Sequence, residues 1–431
     1  MHMLQVVFMT VVVFFLIVSI HEWGHFYFAK RAGILVREFA IGFGPKLFSI
    51  KRGETRYTLR LVPAGGFVRM AGEDPEIVEV QKGQTVAVRM EDGVVTRVYL
   101  DRLDERNNVV RGEVVTFDPE RSLKLALEVD GETERYDVHP QALVVARGRE
   151  TQIAPIDRQF GSKTVGQRAL AIFAGPFMNF ILAFVLFALY IQMAGVTVQP
   201  IQKVFVGSFV DDTVPAAKAG LKKGDEIVSI NGKAIGGDYE GMIDMIGKSP
   251  GKPMHWVVLR DGKQVEIDVT PALEKDPATG KTGTLGKVGI YPTFPMRSAT
   301  FTETFSFAGK AMKTFTVNIF DGFRKLVFGQ IPLDELGGPV KTAQYTGQIA
   351  KQGATELTLW TAILSLYLGI FNLLPIPALD GSRLIFLGVE AVRGRPIDPG
   401  RESMVHFIGF AMLMLLMLVV TYNDILNLMR G

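Results

Sequence analysis

The chain has 431 residues, enough for two or three domains. Its 47 Lys and Arg against 44 Asp and Glu leave a formal charge of +3, which argues against a nucleic-acid partner held by phosphate neutralisation. There is no cysteine, so a disulfide framework, a thiolate metal site and a cysteine nucleophile are all excluded.

An apolar content of 48% is ordinary, but a mean hydropathy of +0.23 is not, so the apolar residues must be concentrated. The first concentration is Leu4 to Ile20, uncharged and close to the ~20 residues that cross a hydrocarbon core. It has no Lys or Arg before it and no small-residue cleavage site after it, so it reads as a retained membrane helix. A polar string follows: His21-Glu22-Trp23-Gly24-His25. On a helix, positions i and i+4 share a face, so two imidazoles there can grip one metal ion. Glu22 can reach a metal-bound water without ligating the metal, and zinc lowers the pKa of such a water toward ~7. The bland alternative is a polar helix end that snorkels to the interface. Ionisable residues at membrane depth are costly, and by default they are functional.

Residues 38–74 alternate like strands, with Gly42, Gly44, Gly53, Gly65 and Gly66 marking turns, and are expected to form a membrane-associated β-hairpin region. Within it, Tyr57 to Met70 is a candidate strand edge for an extended substrate: Gly65, Gly66, Phe67, Val68, Arg69 and Met70 would offer backbone N–H and C=O groups. The alternative is a plain hairpin over the site. Residues 75–160 are charged and Val-rich and read as a small β-rich domain. Ala169 to Gly195 is the second apolar run, in a membrane segment at 161–196.

The string Ala219-Gly220-Leu221-Lys222-Lys223-Gly224-Asp225 with Ile227, Ile230 and Asn231-Gly232 predicts a short helix, a strand and a hairpin turn. A helix from Tyr239 to Lys248 and two strands joined at Asp261-Gly262 follow, and residues 197–292 resemble a PDZ domain. The resemblance makes Leu285, Gly286, Val288 and Ile290 a candidate last strand lining a peptide groove. Residues 293–356 read as an amphipathic linker region. Residues 357–383 hold the third apolar run, Leu357 to Leu374, and the string Asn372-Leu373-Leu374-Pro375-Ile376-Pro377-Ala378-Leu379-Asp380-Gly381. Residues 384–431 hold the fourth run, Met404 to Tyr422, and a tail.

Lys and Arg cluster after the first run (Lys30, Arg31, Arg37, Lys46), before the second (Arg158, Lys163, Arg168) and after the third (Arg383, Arg393, Arg395, Arg401). The positive-inside rule then puts loops 30–168 and 375–403 in the cytoplasm, with both termini and segment 196–356 outside. The expected architecture is a polytopic α-helical membrane protein: four membrane helices, a cytoplasmic β-rich membrane-associated region and one extracytoplasmic PDZ domain.

Zinc needs a third ligand. The His-Glu-x-x-His-x-x-Gly-x-x-His extension of soluble metalloproteases is absent, since Phe28 and Arg31 stand where its glycine and histidine would be. Asp380 is the stronger candidate, because two prolines break the helix before it and irregular backbone at membrane depth is tolerated beside a cavity or inside protein. His406, in the fourth run, is the runner-up.

Taken in order, the His21–His25 motif, Gly65 to Met70, Gly175-Pro176-Phe177-Met178-Asn179, the single PDZ-like segment, Gly338-Pro339-Val340 and the Asn372–Gly381 string resemble the bacterial site-2 proteases. The resemblance covers nearly the whole chain. It implies an intramembrane zinc metalloprotease in a bacterial cell membrane, opening toward the cytoplasmic side, with one zinc on His21, His25 and Asp380 and with Glu22 activating the water. It implies single-pass membrane substrates, anti-sigma factors or signal-peptide remnants, already trimmed by a site-1 protease. It also implies that Asn372 and Asn179 hold the unwound substrate, against ordinary helix–helix hydrogen bonding. Better-known members carry two PDZ domains, so a role for the 75–160 domain does not carry over. A metal-binding transporter and a non-catalytic PDZ scaffold are the competing readings. The first leaves the Glu beside the histidines unexplained; the second makes the whole motif accidental.

Overall fold

The computed structural model describes residues 2–73, 80–198, 200–211, 213–275, 282–330 and 337–430. The boundary expected at 74/75 lies outside them. Among the described residues, four segments are helical, long and apolar enough to cross a membrane: Val7–Arg31, Val165–Ala194, Ala354–Asn372 and Gly400–Leu426. Contacts divide the chain into two compact units, Met1–Phe187 with Ala308–Gly431, and Ala188–Phe307.

The first unit starts with helix α1 (His2–Arg31), which continues through the polar motif without a break. Strands β1 (Val36–Arg52) and β2 (Thr55–Met70) follow. Each is bent, with φ of +90°, +81° and +148° at Gly42, Gly44 and Gly65, so each contributes two segments to one small sheet. Tyr57 pairs with Phe39 on one side and Ile50 on the other, whereas Gly66 to Met70 pairs with the first half of β1 alone. The expected edge from Tyr57 to Met70 is therefore corrected. Its first half is interior to the sheet, and 66–70 is the part of this segment paired on one side alone, as Lys46–Arg52 of β1 is at the opposite edge.

Six strands form the next element: β3 (Thr85–Glu91), β4 (Val94–Tyr99), β5 (Val110–Asp118), β6 (Lys124–Val129), β7 (Glu132–Ala146) and β8 (Arg149–Gln152). They run in the order β4-β3-β5-β6-β7-β8, and a parallel β4–β7 pairing closes five of them into a barrel. Val86, Val88, Val95, Val98, Val114, Leu125 and Leu127 fill it. Such closure leaves few strand edges exposed.

Helix α2 (Val165–Ala194) carries Pro176 in its interior. In the second unit, β9 (Val196–Thr197), β10 (Phe205–Phe209), α3 (Pro215–Lys218), β11 (Glu226–Ile230), β12 (Lys233–Ala234), α4 (Tyr239–Gly247), β13 (Met254–Arg260), β14 (Lys263–Val269), β15 (Ala272–Lys275), β16 (Thr282–Lys287), β17 (Ile290–Thr293) and β18 (Met296–Arg297) follow one another. The main sheet runs β14-β13-β11-β10-β17 around the fully buried Trp256, and Asp238 caps α4 by accepting from the Gly241 N–H at 2.9 Å. The single strand expected over 285–290 is instead two. β16 pairs with β15 and β17 with β10, because the chain turns at Val288-Gly289, where φ is +76°.

The region expected as a linker holds two helices, α5 (Phe301–Val327) and α6 (Pro339–Gln352). Helix α7 (Ala354–Asn372) ends before Pro375 and Pro377, and Asp380 opens a separate amphipathic helix, α8 (Asp380–Arg393), before α9 (Pro399–Arg430).

Glu54, in the β1–β2 turn, ties this sheet to the chain after the barrel. It accepts from Arg158 through both oxygens, from Gln152 at 3.0 Å and from Gln141 at 3.2 Å. The Arg158 guanidinium holds the Glu54 carboxyl down at about 2, well below the usual carboxylate range. A depressed carboxyl contributes its stability above its unfolded pKa and loses it as pH falls through the folded one. Glu54→Gln is expected to lower stability by about 2 kcal/mol at pH 7. In thermal unfolding of the detergent-solubilised protein, that deficit should close as pH falls from about 4 to about 2.

Candidate metal centre

His21 and His25 sit one turn apart on α1, and Asp380 is the first residue of α8. The prolines of the 373–379 loop end α7 and let the chain turn before α8 begins, which carries the carboxylate to the histidine face. The Nε2 atoms of the two histidines lie 3.2 Å apart, and Asp380 Oδ2 lies 3.3 Å from that of His21 and 3.4 Å from that of His25. Both histidines are buried, at 7% and 8% exposure.

The protons explain why three such groups need a fourth. His25 Nδ1 donates to the Ala171 carbonyl at 2.9 Å, which leaves a lone pair on Nε2. His21 Nδ1 meets the amide of the fully buried Asn179 at 3.2 Å. With Nδ2 turned toward His21, Asn179 Oδ1 is buried without a partner. A half-turn of that amide lets Oδ1 accept the His21 Nδ1 proton and frees the second lone pair as well. Asp380 Oδ2, also without a hydrogen-bond partner, supplies the third. Three lone pairs then converge on one point. A tetrahedral ion with bonds of about 2.0–2.1 Å requires ligand atoms about 3.3–3.4 Å apart, and the observed triangle fits. Two imidazoles and a carboxylate suit zinc, and among the described residues this is the one cluster of this kind.

Close backbone approach builds the site. A Cβ on Gly24 would lie 2.3 Å from the Ala174 carbonyl oxygen, and one on Gly175 would lie 2.2 Å from His25 Nε2. Only bare glycines let α1 and α2 meet this closely. Ser365 of α7 adds a bond to the Asn179 carbonyl at 2.9 Å. Glu22, 7% exposed, faces β2: a Cβ on Gly66 would lie 2.6 Å from Glu22 Cγ and 2.7 Å from the Ala40 carbonyl. The free edge thus passes directly beside this carboxylate.

Other expected residues fall elsewhere. Asn372 donates to the Leu368 carbonyl one turn back at 3.1 Å. His406, the runner-up ligand, is outside the triangle and accepts the Ala378 N–H at 3.1 Å. Phe67 lies under the guanidiniums of Arg60 and Arg69, at 5.1 and 5.7 Å. Met70 is buried in the core next to α1 and α2. In the second unit Leu285 is exposed, Gly286 is packed on the Ile246 carbonyl, and Val288 belongs to the core. Ile290 is half-buried against that core. The Ala171 carbonyl was not readable from the sequence, since a backbone acceptor leaves no residue signature.

The sequence profile of Peptidase family M50 matches residues 9–416. The zinc metalloprotease RasP of Geobacillus kaustophilus (strain HTA426) is 45% identical over 419 residues, 96% of either chain. The regulator of sigma-W protease RasP of Bacillus subtilis (strain 168) is 44% identical over 422 residues, 97% of either chain. The probable protease eep of Enterococcus faecalis (strain ATCC 700802 / V583) is 40% identical over 422 residues, 96% of this chain and 97% of that one. Among solved structures, the PDZ domain of the SdrC-like protein from Listeria innocua aligns with 22% of this chain and 99% of its own, at 26% identity and a TM-score of 0.18.

Gly175→Ala is expected to push the His25 ring off its position and to weaken metal binding about 10- to 100-fold, the size of effect seen when a ligand's support is lost. Gly166→Ala on the same helix meets open space and should bind metal as the unaltered protein does. Metal content after dialysis of both purified variants checks the pair.

Proposed function

The chain belongs to peptidase family M50 and is an intramembrane zinc metalloprotease, and we propose that His21, His25 and Asp380 hold its zinc while Glu22 is its general base. The observation that carries the assignment is the triangle of lone pairs with Glu22 on its flank. Zinc, when bound, polarises the scissile carbonyl and lowers the pKa of the attacking water. Glu22 accepts a proton from that water and delivers it to the leaving nitrogen, so cleavage of the C–N bond yields a carboxyl and an amine. Burial excludes bulk water around the reacting groups, and Asn179 and the Ala171 carbonyl fix the imidazoles in the ligating tautomer.

A peptide bond in a helical substrate is shielded by its own hydrogen bonds, so the substrate must be drawn out. The edge at Gly66–Met70 offers replacement partners for the released N–H and C=O groups. A chain added there lies against the strand whose backbone touches Glu22, which puts its carbonyls within reach of the site. The side chains of Phe67 and Arg69 are then the ones placed to contact the substrate, and Asn372 is the less favoured of the two asparagines.

The asymmetry of Lys and Arg supports both termini and the PDZ-like unit outside, with the barrel domain and the site's opening on the cytoplasmic side. The substrates are membrane segments of single-pass proteins, anti-sigma factors or signal-peptide remnants, already trimmed outside by a site-1 protease. The name of the Bacillus subtilis relative, regulator of sigma-W protease, supports the first of these classes. A PDZ-like unit on the outer side suits a size filter that keeps bulky outer domains away.

Two results are expected in cleavage assays of purified protein. Glu22→Gln should keep near-stoichiometric zinc and lose about 10²- to 10⁴-fold in rate; loss of zinc as complete as in His21→Ala would overturn the roles. Along an edge strand, alternate residues point their N–H toward the partner strand and toward the free side. Proline at Phe67 or Val68, whichever leaves zinc and folding intact, should therefore cut activity sharply, while alanine at the same position is mild. Topology is read separately: a cysteine introduced at Lys233 should label from outside intact cells.

A further inference from the structure

Three groups meet in the turn before Asp380. Ala378 has φ of +76°, a left-handed conformation that a residue with a Cβ keeps only when its surroundings impose it. Pro375 and Pro377 contribute no N–H, and the local turn uses Ile376 N–H to the Leu374 carbonyl at 2.7 Å and Leu379 N–H to the Ile376 carbonyl at 3.1 Å. The Ala378 N–H leaves the turn and donates to His406 Nδ1 on α9, at 3.1 Å. Since Nδ1 accepts, the ring's proton is on Nε2, which faces Glu402 Oε1 one turn back at 3.7 Å. The same ring packs edge-on against Phe386 of α8, with centroids 5.5 Å apart. Three residues on, along the same face of α9, Gly409 lies so close that a Cβ there would sit 2.2 Å from Pro377 Cβ and 2.8 Å from its carbonyl oxygen.

We propose that His406 is a positioning residue of the metal site: it holds the Ala378 N–H while Gly409 seats Pro377, and together they aim Asp380 at the histidines. Asp380 begins α8 two residues after Ala378, so a rotation of that turn swings the carboxylate away from the two Nε2 atoms 3.3 and 3.4 Å off. The imidazole does this without touching metal or substrate. An acceptor at the His406 Nδ1 position is the required chemistry, and asparagine places its Oδ1 at the same distance from the backbone.

The inference rests on Asp380 being a ligand, and the experiment separates the two claims. Full-length protein in detergent is stripped of metal, and its zinc affinity is read by chelator competition. Its site geometry is read from the visible absorption of the Co²⁺-loaded protein. His406→Ala is expected to weaken zinc binding about 10- to 100-fold and to shift the Co²⁺ bands. His406→Asn should restore most of both. Gly409→Ala, which leaves the imidazole in place, should reproduce the loss and serves as the deciding variant if His406→Ala fails to fold. Zinc affinity and Co²⁺ bands unchanged in His406→Ala, or in Gly409→Ala where that variant decides, overturn the proposal. A folded His406→Asn as weak as His406→Ala overturns it too. Asp380→Ala with unchanged zinc affinity instead overturns the ligand assignment itself.

Discussion

The close approach of two imidazoles and a carboxylate at one buried point, His21, His25 and Asp380, is the constraint on which the rest of the site depends. Burying a polar group without a partner costs a few kcal/mol, and the cost rises for ionised groups in the membrane. His21, His25 and Asp380 approach within 3.4 Å of one another, and with both rings protonated at Nδ1 they offer each other acceptors rather than donors. Everything around them supplies what the triangle lacks. Donor atoms on the far sides of the rings are occupied by the Ala171 carbonyl and the Asn179 amide. The loop that delivers the carboxylate is pinned from α9.

Holding that point inside a bilayer requires helices to touch at the backbone. Lipid chains are as apolar as leucine, so membrane helices gain little by hiding leucines from lipid and gain much from small residues that permit close packing. Gly24 against Ala174 and Gly175 against the His25 ring are contacts of this kind. Pro176, inside α2, is next to them and leaves one helical carbonyl without its usual N–H partner. The same stretch of α2 then carries Asn179, so a single helical turn supplies close approach and ligand support together.

The strand edge and the carboxylate helix are coupled by charge. Arg383, one turn into α8, pairs with Glu73 just beyond the end of β2. Arg168 on α2 pairs with Glu390 near the other end of α8 through two bonds. Both guanidiniums lie over the Phe160 ring, at 5.5 and 5.9 Å. Planar, forked and permanently charged, arginine suits such half-buried pairing. These pairs join the helix that begins with Asp380 to the strand whose edge passes Glu22.

Much of this protein was legible in its sequence, because the signals were local. Apolar runs of bilayer length fix membrane helices through the 1.5 Å rise of the α-helix, and a spacing of four puts His21 and His25 on one face. Alternation marked the β-hairpin and the barrel strands, and paired prolines marked the break before Asp380. What the sequence could not decide depended on pairings between distant segments. Alternation is the same for an interior strand and an edge strand, so only the fold separates Tyr57, with partners on both sides, from Gly66–Met70, with one. The hydrophobicity of Val288 does not tell a groove from a core. A histidine in an apolar helix reads as a ligand whether it meets the metal or, as His406 does, a backbone N–H 28 residues away. Composition and period record which face of an element is apolar; what that face meets is set by long-range packing, which single residues do not encode.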